Sequence, residues 1–246
     1  MRLKASLYHS FATPNSAIPF VTAEAPSYPT ENPRACSSKV INRKPLIAYP
    51  ITQALQSNLF EAVVVSTDDE EIAAIAKEYG AIVPFLRDKT LADDFTGTFA
   101  VVKDAYNKLK EEFNPDTVCC IYATAPLLTS SHLKYAFDKF QSSNATSLVS
   151  VCEFSFPIQR AFIEDKDGYI SYREPEYAMT RSQDLQKCYQ DCGLFYIYSR
   201  DLLEGKAIDR TISYQMPRHR VIDIDTPEDW DYARALYNAV NSLNLE

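Results

Sequence analysis

The chain has 246 residues, ordinary apolar and charged fractions, and a formal net charge of −8. That length suffices for one α/β core with a small appended lobe. The acidic balance argues against a general nucleic-acid or anionic-membrane surface, and no stretch reaches the apolar length of a membrane span.

Residues 1–40 are the least readable part. Arg2, Lys4 and several Ser and Thr, with no acid before Glu24, faintly suggest an organellar leader. Pro14, Pro19, Pro26, Pro29 and Pro33 spoil any amphipathic helix there, and a secretory apolar core is missing. The expectation is irregular chain with one short strand near Ala17-Ile18. From Lys44 the pattern sharpens, and an apolar-periodic helix is expected up to Ser57, with Pro50 as an irregularity. Ala62-Val63-Val64-Val65 is continuous and β-branched, as in a strand buried on both faces. A helix from about Asp69 to Tyr79 follows, with acids in its first turn and Gly80 after it. Ala81-Ile82-Val83 reads as a short strand, and a helix is expected from Thr98 to Glu112.

Thr117–Tyr122 is a third buried strand, Ser130 is expected to cap a helix to Phe140, and Thr146–Cys152 is a further strand. This alternation predicts an α/β fold with a mostly parallel sheet and helices on both faces. Between about residues 154 and 192 it gives way to turns and short antiparallel strands, an excursion from the main sheet. Strand character returns at Gly193–Tyr198, Asp201 is expected to cap a short helix, and a final helix runs from Pro227 to Ser242. The whole, 1–246, reads as a single domain.

Just before that last helix, Val221, Ile222 and Ile224 read as a short buried strand. Asp223 and Asp225 would then project from one face of it. Two adjacent carboxylates repel and raise each other's pKa; a divalent cation such as Mg²⁺ relieves the conflict, usually with one or two carboxylates plus substrate phosphates. An isolated Asp-x-Asp is more commonly a solvated strand end. In a parallel α/β sheet, however, ligands bind beyond the carboxyl ends of the strands, where Ser66–Asp69, Ala123–Pro126 and Asp223–Asp225 should all lie. Cys36, Cys119, Cys120, Cys152, Cys188 and Cys192 show no zinc spacing and read as reduced cytosolic thiols. The role of Cys188 and Cys192 is not readable. His9, His132 and His219 form no metal or triad pattern.

Seven blocks, in order and with sensible gaps, then carry a resemblance. They are Lys44-Pro45-Leu46-Ile47-Ala48-Tyr49, Ser66-Thr67-Asp68-Asp69-Glu70-Glu71-Ile72-Ala73, Leu91-Ala92-Asp93-Asp94, Tyr122-Ala123-Thr124-Ala125-Pro126, Phe156-Pro157-Ile158-Gln159-Arg160, Thr180-Arg181-Ser182-Gln183-Asp184-Leu185 and Asp223-Ile224-Asp225-Thr226-Pro227-Glu228-Asp229-Trp230. Together they resemble the cytidylyltransferases that activate nonulosonic acids, and among these the pseudaminic acid branch. The resemblance implies a Rossmann-like nucleotidyltransferase that uses CTP and Mg²⁺, acts in the cytoplasm, and forms a homodimer through the excursion. It implies Asp223 and Asp225 as metal and catalytic carboxylates and Lys44 as a catalytic cation. Ser66, Thr67, Asp68 and Arg87 match positions near the nucleotide, and Thr124, Arg181, Gln183 and Tyr196 match positions lining the sugar-acid pocket.

One part of the family pattern has no counterpart. Its glycine-rich phosphate loop follows the first strand, whereas the first glycine here is Gly80. An alternative expectation is therefore a nucleotide-sugar-binding homologue that has lost the loop and is catalytically impaired. An Asp-x-Asp-x-Thr phosphatase fails because residue 227 is Pro, and a receiver-like domain around Asp68-Asp69 is about half this length.

Overall fold

A computed structural model describes residues 17–22, 38–92 and 96–243. The segment 23–37, where a phosphate loop would lie, and residues 93–95, which include Asp93 and Asp94 of the Leu91–Asp94 block, fall outside that description, as do His9 and Cys36. A six-stranded sheet organises the chain, with β1 (Ala17–Thr22), β4 (Val64–Ser66), β5 (Thr117–Tyr122), β6 (Ser147–Glu153), β9 (Tyr189–Ser199) and β10 (Thr211–Gln215). Their order is β10-β6-β9-β5-β1-β4. β1 pairs in parallel with β4 and β5, and β10 in parallel with β6, while β9 runs antiparallel between β5 and β6. The mostly parallel expectation therefore holds, with β9 as the reversed strand.

Helices cover both faces, as the buried strands require. In β5 the alternation of a strand sorts Cys119 and Ile121 to one side and Val118 and Cys120 to the other. Cys119 and Ile121 meet residues of α1 (Ala48–Ser57), α2 (Glu70–Glu78) and α4 (Ser130–Gln141), among them Ile51, Ile72 and Phe137. Val118 and Cys120 meet Val102, Tyr106 and Leu109 of α3 (Thr98–Phe113) and Leu203 of the short α5 (Arg200–Leu203). Burial pushes the Cys119 thiol well up, consistent with an inert core residue. A third cluster joins the hairpin of β2 (Val40–Ile41) and β3 (Lys44–Pro45) to α1 and to α6 (Pro227–Ser242), through Ile41, Leu46, Tyr49, Ile224 and Ala233. The excursion carries the antiparallel pair β7 (Phe162–Glu164) and β8 (Ile170–Tyr172), closed by Gly168 at φ +85. Among the described residues no helix is long and apolar enough to cross a membrane.

Several expectations are corrected. Val221–Ile224 is not a strand: it joins no ladder, and among its apolar residues Ile224 alone is buried. The sheet edge beside β6 is taken instead by β10, whose Ile212 and Tyr214 alternate with polar residues and pack on the core. Ala81–Val83 contributes a single bridge, Ile82 to Val64, rather than a strand. Thr129, not Ser130, caps α4, and Ser199, not Asp201, caps α5. Pro50 is no irregularity, because it sits in the first turn of α1, where its missing N–H would have no helical partner.

Candidate active site

The paired registers set the geometry of the sheet's carboxyl edge. Thr22 stands opposite both Ser66 and Tyr122, so β4 and β5 end level on either side of β1. At the usual strand spacing their ends are about 10 Å apart. β9 enters at this same edge, since Phe195 pairs with Ile121 and residues 189–193 precede it.

After β4, Ser66 and Thr67 are buried and Asp69 turns the chain into α2. The Asp69 carboxylate accepts from the N–H groups of Glu71 (2.8 Å) and Ile72 (3.0 Å), while Thr67 Oγ1 accepts from Asp69 N–H. Arg87 is itself buried and clamps this turn. Its guanidinium donates to Ser66 Oγ (3.2 Å) and to the Ser66 carbonyl, and its backbone N–H donates to Thr67 O (2.8 Å). The predicted nucleotide residues Ser66, Thr67 and Arg87 thus form one hydrogen-bonded unit, with the half-buried Asp68 in the same turn. After β5, Thr124 is the half-exposed polar residue between buried Ala123 and Ala125.

The acidic segment crosses the ends of the neighbouring strands. Met216 N–H donates to Val151 O at 2.8 Å, Arg218 reaches Ser155 Oγ, and Arg220 Nη1 donates to Leu127 O at 3.1 Å. Ile224 then anchors in the cluster of Ile41, Leu46 and Tyr49, which leaves Asp223 and Asp225 exposed on either side of it. In extended chain that alternation aims both carboxylates away from the side buried by Ile224. Partial desolvation raises the pKa of Asp223, the Asp225 carboxylate raises it further, and the Ile224 N–H opposes them. Asp229 and Asp191 add smaller repulsions.

Asp229 is differently employed. Its Oδ2 accepts from Thr226 N–H (2.8 Å), Thr226 Oγ1 (2.7 Å) and Asp225 N–H (3.2 Å), closing a capping box at the start of α6. Those bonds, the Thr226 side chain's first, hold its pKa down. Asp223 and Asp225 remain as the pair whose repulsion a hard cation would relieve, and an exposed all-oxygen pair suits Mg²⁺. Among the described residues no group of three or more His, Cys, Asp or Glu side chains has the geometry of a metal centre, so further ligands would come from water or substrate oxygens.

The other predicted residues are placed as follows. Tyr196 is half-buried on the α3 face of the sheet, its ring 5.7 Å from that of Tyr122 and 6.3 Å from that of Tyr198. Its hydroxyl donates to Asp191 Oδ2 at 2.8 Å, and burial, before the influence of Tyr122 and Asp191, drives its pKa upward. Lys44 is not brought to the nucleotide turn. Its ammonium donates to Thr52 Oγ1 (2.7 Å), lies 4.9 Å above the Tyr49 ring and 5.5 Å above that of Tyr79, and is lowered in pKa by burial. Tyr79 caps the far end of α2, about 15 Å along the helix from Asp69. Arg181 and Gln183 stand on the excursion, both exposed, with Arg181 Nε donating to Asp184 Oδ2 at 2.8 Å. Sequence reasoning missed Asp191, Arg218 and Arg220. The two arginines were visible as a basic run, but Asp191 had no signal beyond its proximity to Gly193.

Comparisons with known proteins bear on the family and the fold. The family model described as Cytidylyltransferase matches residues 39–244. The chain is 44% identical, over 79% of its own length and 85% of the relative's, to pseudaminic acid cytidylyltransferase of Campylobacter jejuni. It is 32% identical, over 82% and 87% of the two lengths, to the CMP-N,N'-diacetyllegionaminic acid synthase of the same organism. Among solved structures, CMP:2-keto-3-deoxy-manno-octonic acid synthetase complexed with CTP shares the fold, with a TM-score of 0.65 at 16% identity over 92% of this chain and 99% of that one.

Proposed function

The chain belongs to the cytidylyltransferase family, and from that premise we propose that it joins the cytidylyl group of CTP to a nonulosonic acid, pseudaminic acid in the first instance. The C2 hydroxyl of the sugar acid attacks the α-phosphorus in line, and pyrophosphate leaves. Such reactions are carried by positioning and charge neutralisation more than by covalent chemistry of the protein. Mg²⁺, when bound, neutralises phosphate charge, and Asp223 and Asp225 are the residues that would hold it. The buried Arg87 keeps Ser66 and Thr67 rigid beneath the nucleotide. Thr124 and Tyr196, half-buried at the same edge, form walls of the sugar-acid pocket, and Arg181 suits the sugar carboxylate through its fork of N–H donors.

The observation that carries this reading is the exposed Asp223 and Asp225 pair on a segment tied by Arg220 to the turn after β5. We further propose a homodimer of single-domain subunits acting in the cytoplasm on small molecules. The excursion presents Phe156, Tyr169, Ile170 and Met179 to solvent, apolar surface that a second copy would cover. Cys119, Cys152, Cys188 and Cys192 form no disulfide among the described residues, which fits a reducing compartment, and the net charge of −8 disfavours nucleic acid.

The test is a pyrophosphate-release assay with CTP and Mg²⁺, offered pseudaminic, legionaminic and sialic acids in parallel. Release is expected with pseudaminic acid above the others. One observation favours a second reading, because no glycine precedes Gly80 to build a phosphate-binding loop. Calorimetric binding of CTP without any release would select a catalytically impaired nucleotide-sugar-binding homologue instead.

A further inference from the structure

The geometry points to Asp191 as a positioning residue that fixes the hydrogen-bonding polarity of Tyr196 in the sugar-acid pocket. It rests on the proposed function, in which Tyr196 is a wall of that pocket. Both Asp191 oxygens are committed. Oδ1 accepts from Gly193 N–H at 2.9 Å, closing a tight turn with Gly193 at φ +59, and Oδ2 accepts from the Tyr196 hydroxyl at 2.8 Å. A carboxylate only accepts, whereas a phenol has a single proton to give. Tyr196 therefore gives its proton to Asp191 and can offer a ligand only oxygen lone pairs.

The surroundings hold the arrangement in place. A Cβ on Gly193 would lie 3.8 Å from the Tyr122 ring, so the turn packs directly on the aromatic group. The Tyr122 hydroxyl, paired with Thr98 Oγ1, adjoins the Tyr196 phenol, and burial keeps that phenol protonated. However Tyr122 is oriented, Tyr196 has no second proton. The sugar group it recognises must then be a donor, a hydroxyl or an acylamino N–H. A carboxylate or carbonyl oxygen facing this phenol would meet lone pairs and be rejected.

Asp191→Asn separates this role from a structural one. The Asn carbonyl can still accept from Gly193 N–H, so the turn is kept, but the amide NH₂ now faces Tyr196. The phenol becomes the acceptor of that bond and presents its proton to the ligand. The experiment measures kcat and KM for both substrates, with thermal midpoints, for wild type, Asp191→Asn, Tyr196→Phe and the double variant. Asp191→Asn should raise KM for the sugar acid roughly ten- to a hundredfold while leaving KM for CTP within about twofold. In the Tyr196→Phe background the same change should add nothing. A lowered midpoint with equal losses in both backgrounds would mean that Asp191 merely holds the turn, and a sugar-acid KM within about twofold of wild type would likewise overturn the inference. A wild type that releases no pyrophosphate with any of the three acids would instead remove the proposed function, and this inference with it.

Discussion

Three aspartates within seven residues divide two jobs between them, and the division follows from what each carboxylate touches. Asp229 is used up by the backbone and side chain of Thr226, whereas Asp223 and Asp225 flank a buried isoleucine and face outward. Asp225→Ala should therefore lower kcat/KM by about a hundredfold or more through lost charge neutralisation. Its cost to stability should stay within about 0.5 kcal/mol, as for an exposed side chain. Asp229→Ala should do the reverse, costing about 1 kcal/mol of stability through the lost capping box. Denaturant midpoints and turnover measured on both variants check the pair. Near-normal turnover by Asp225→Ala would contradict its metal role. The pair was legible because two-residue spacing imposes a shared side on any extended chain, strand or not. The packed niche of Lys44 was not legible, since nothing in a local run tells that Tyr49, Thr52 and Tyr79 surround it.

Elements with strong end signals were read close to their true bounds. Thr226-Pro227 with Asp229 three residues beyond the cap marks the start of α6, and Asp69 with Glu70 and Glu71 marks that of α2. Extended segments were harder, because pairing depends on a partner remote in sequence. The apolar run at Val221 fails as a strand while the weaker alternation of Thr211–Gln215 finds β6 beside it. At α4 an end signal also predicts behaviour with pH. His132 occupies the third helical position, where Nδ1 accepts from Thr129 N–H in a capping box. Burial first, then the charges of Arg220 and His219, lower its pKa from 6.5 to about 4. The unfolded chain takes up a proton near the ordinary value and the folded chain does not, so this contribution is complete above pH 6.5 and is lost as pH falls towards 4. Denaturation midpoints should decline over that window. His132→Gln, which keeps an acceptor at the same place without titrating, should flatten the decline. Equal slopes in the two proteins would sink the argument.

At the scale of the whole molecule, the alternation of strands and helices announced an α/β sheet, but not the insertion of β9 in reverse between β5 and β6. That insertion places Asp191 at the carboxyl edge and sends the excursion outward from it. Arg181 and Gln183 ride on this arm, exposed and paired at most with the arm's own Asp184 in the case of Arg181. Two arrangements are possible: the arm closes over its own subunit's site, or it crosses to a partner under cover of Ile170 and Met179. They differ in complementation. Arg181→Ala and Asp225→Ala each remove one ingredient of the proposed site. When the two are co-expressed, a mixed dimer with crossed arms contains one site with both defects and one with neither. With half the dimers mixed and half of their sites intact, activity should return to about a quarter of wild type. If each arm serves its own subunit, every site in the mixture carries a defect and no activity returns. Light scattering on the wild type fixes the subunit count, and the pyrophosphate assay on the co-expressed pair then decides whether the sugar-acid pocket is shared between two copies of the chain.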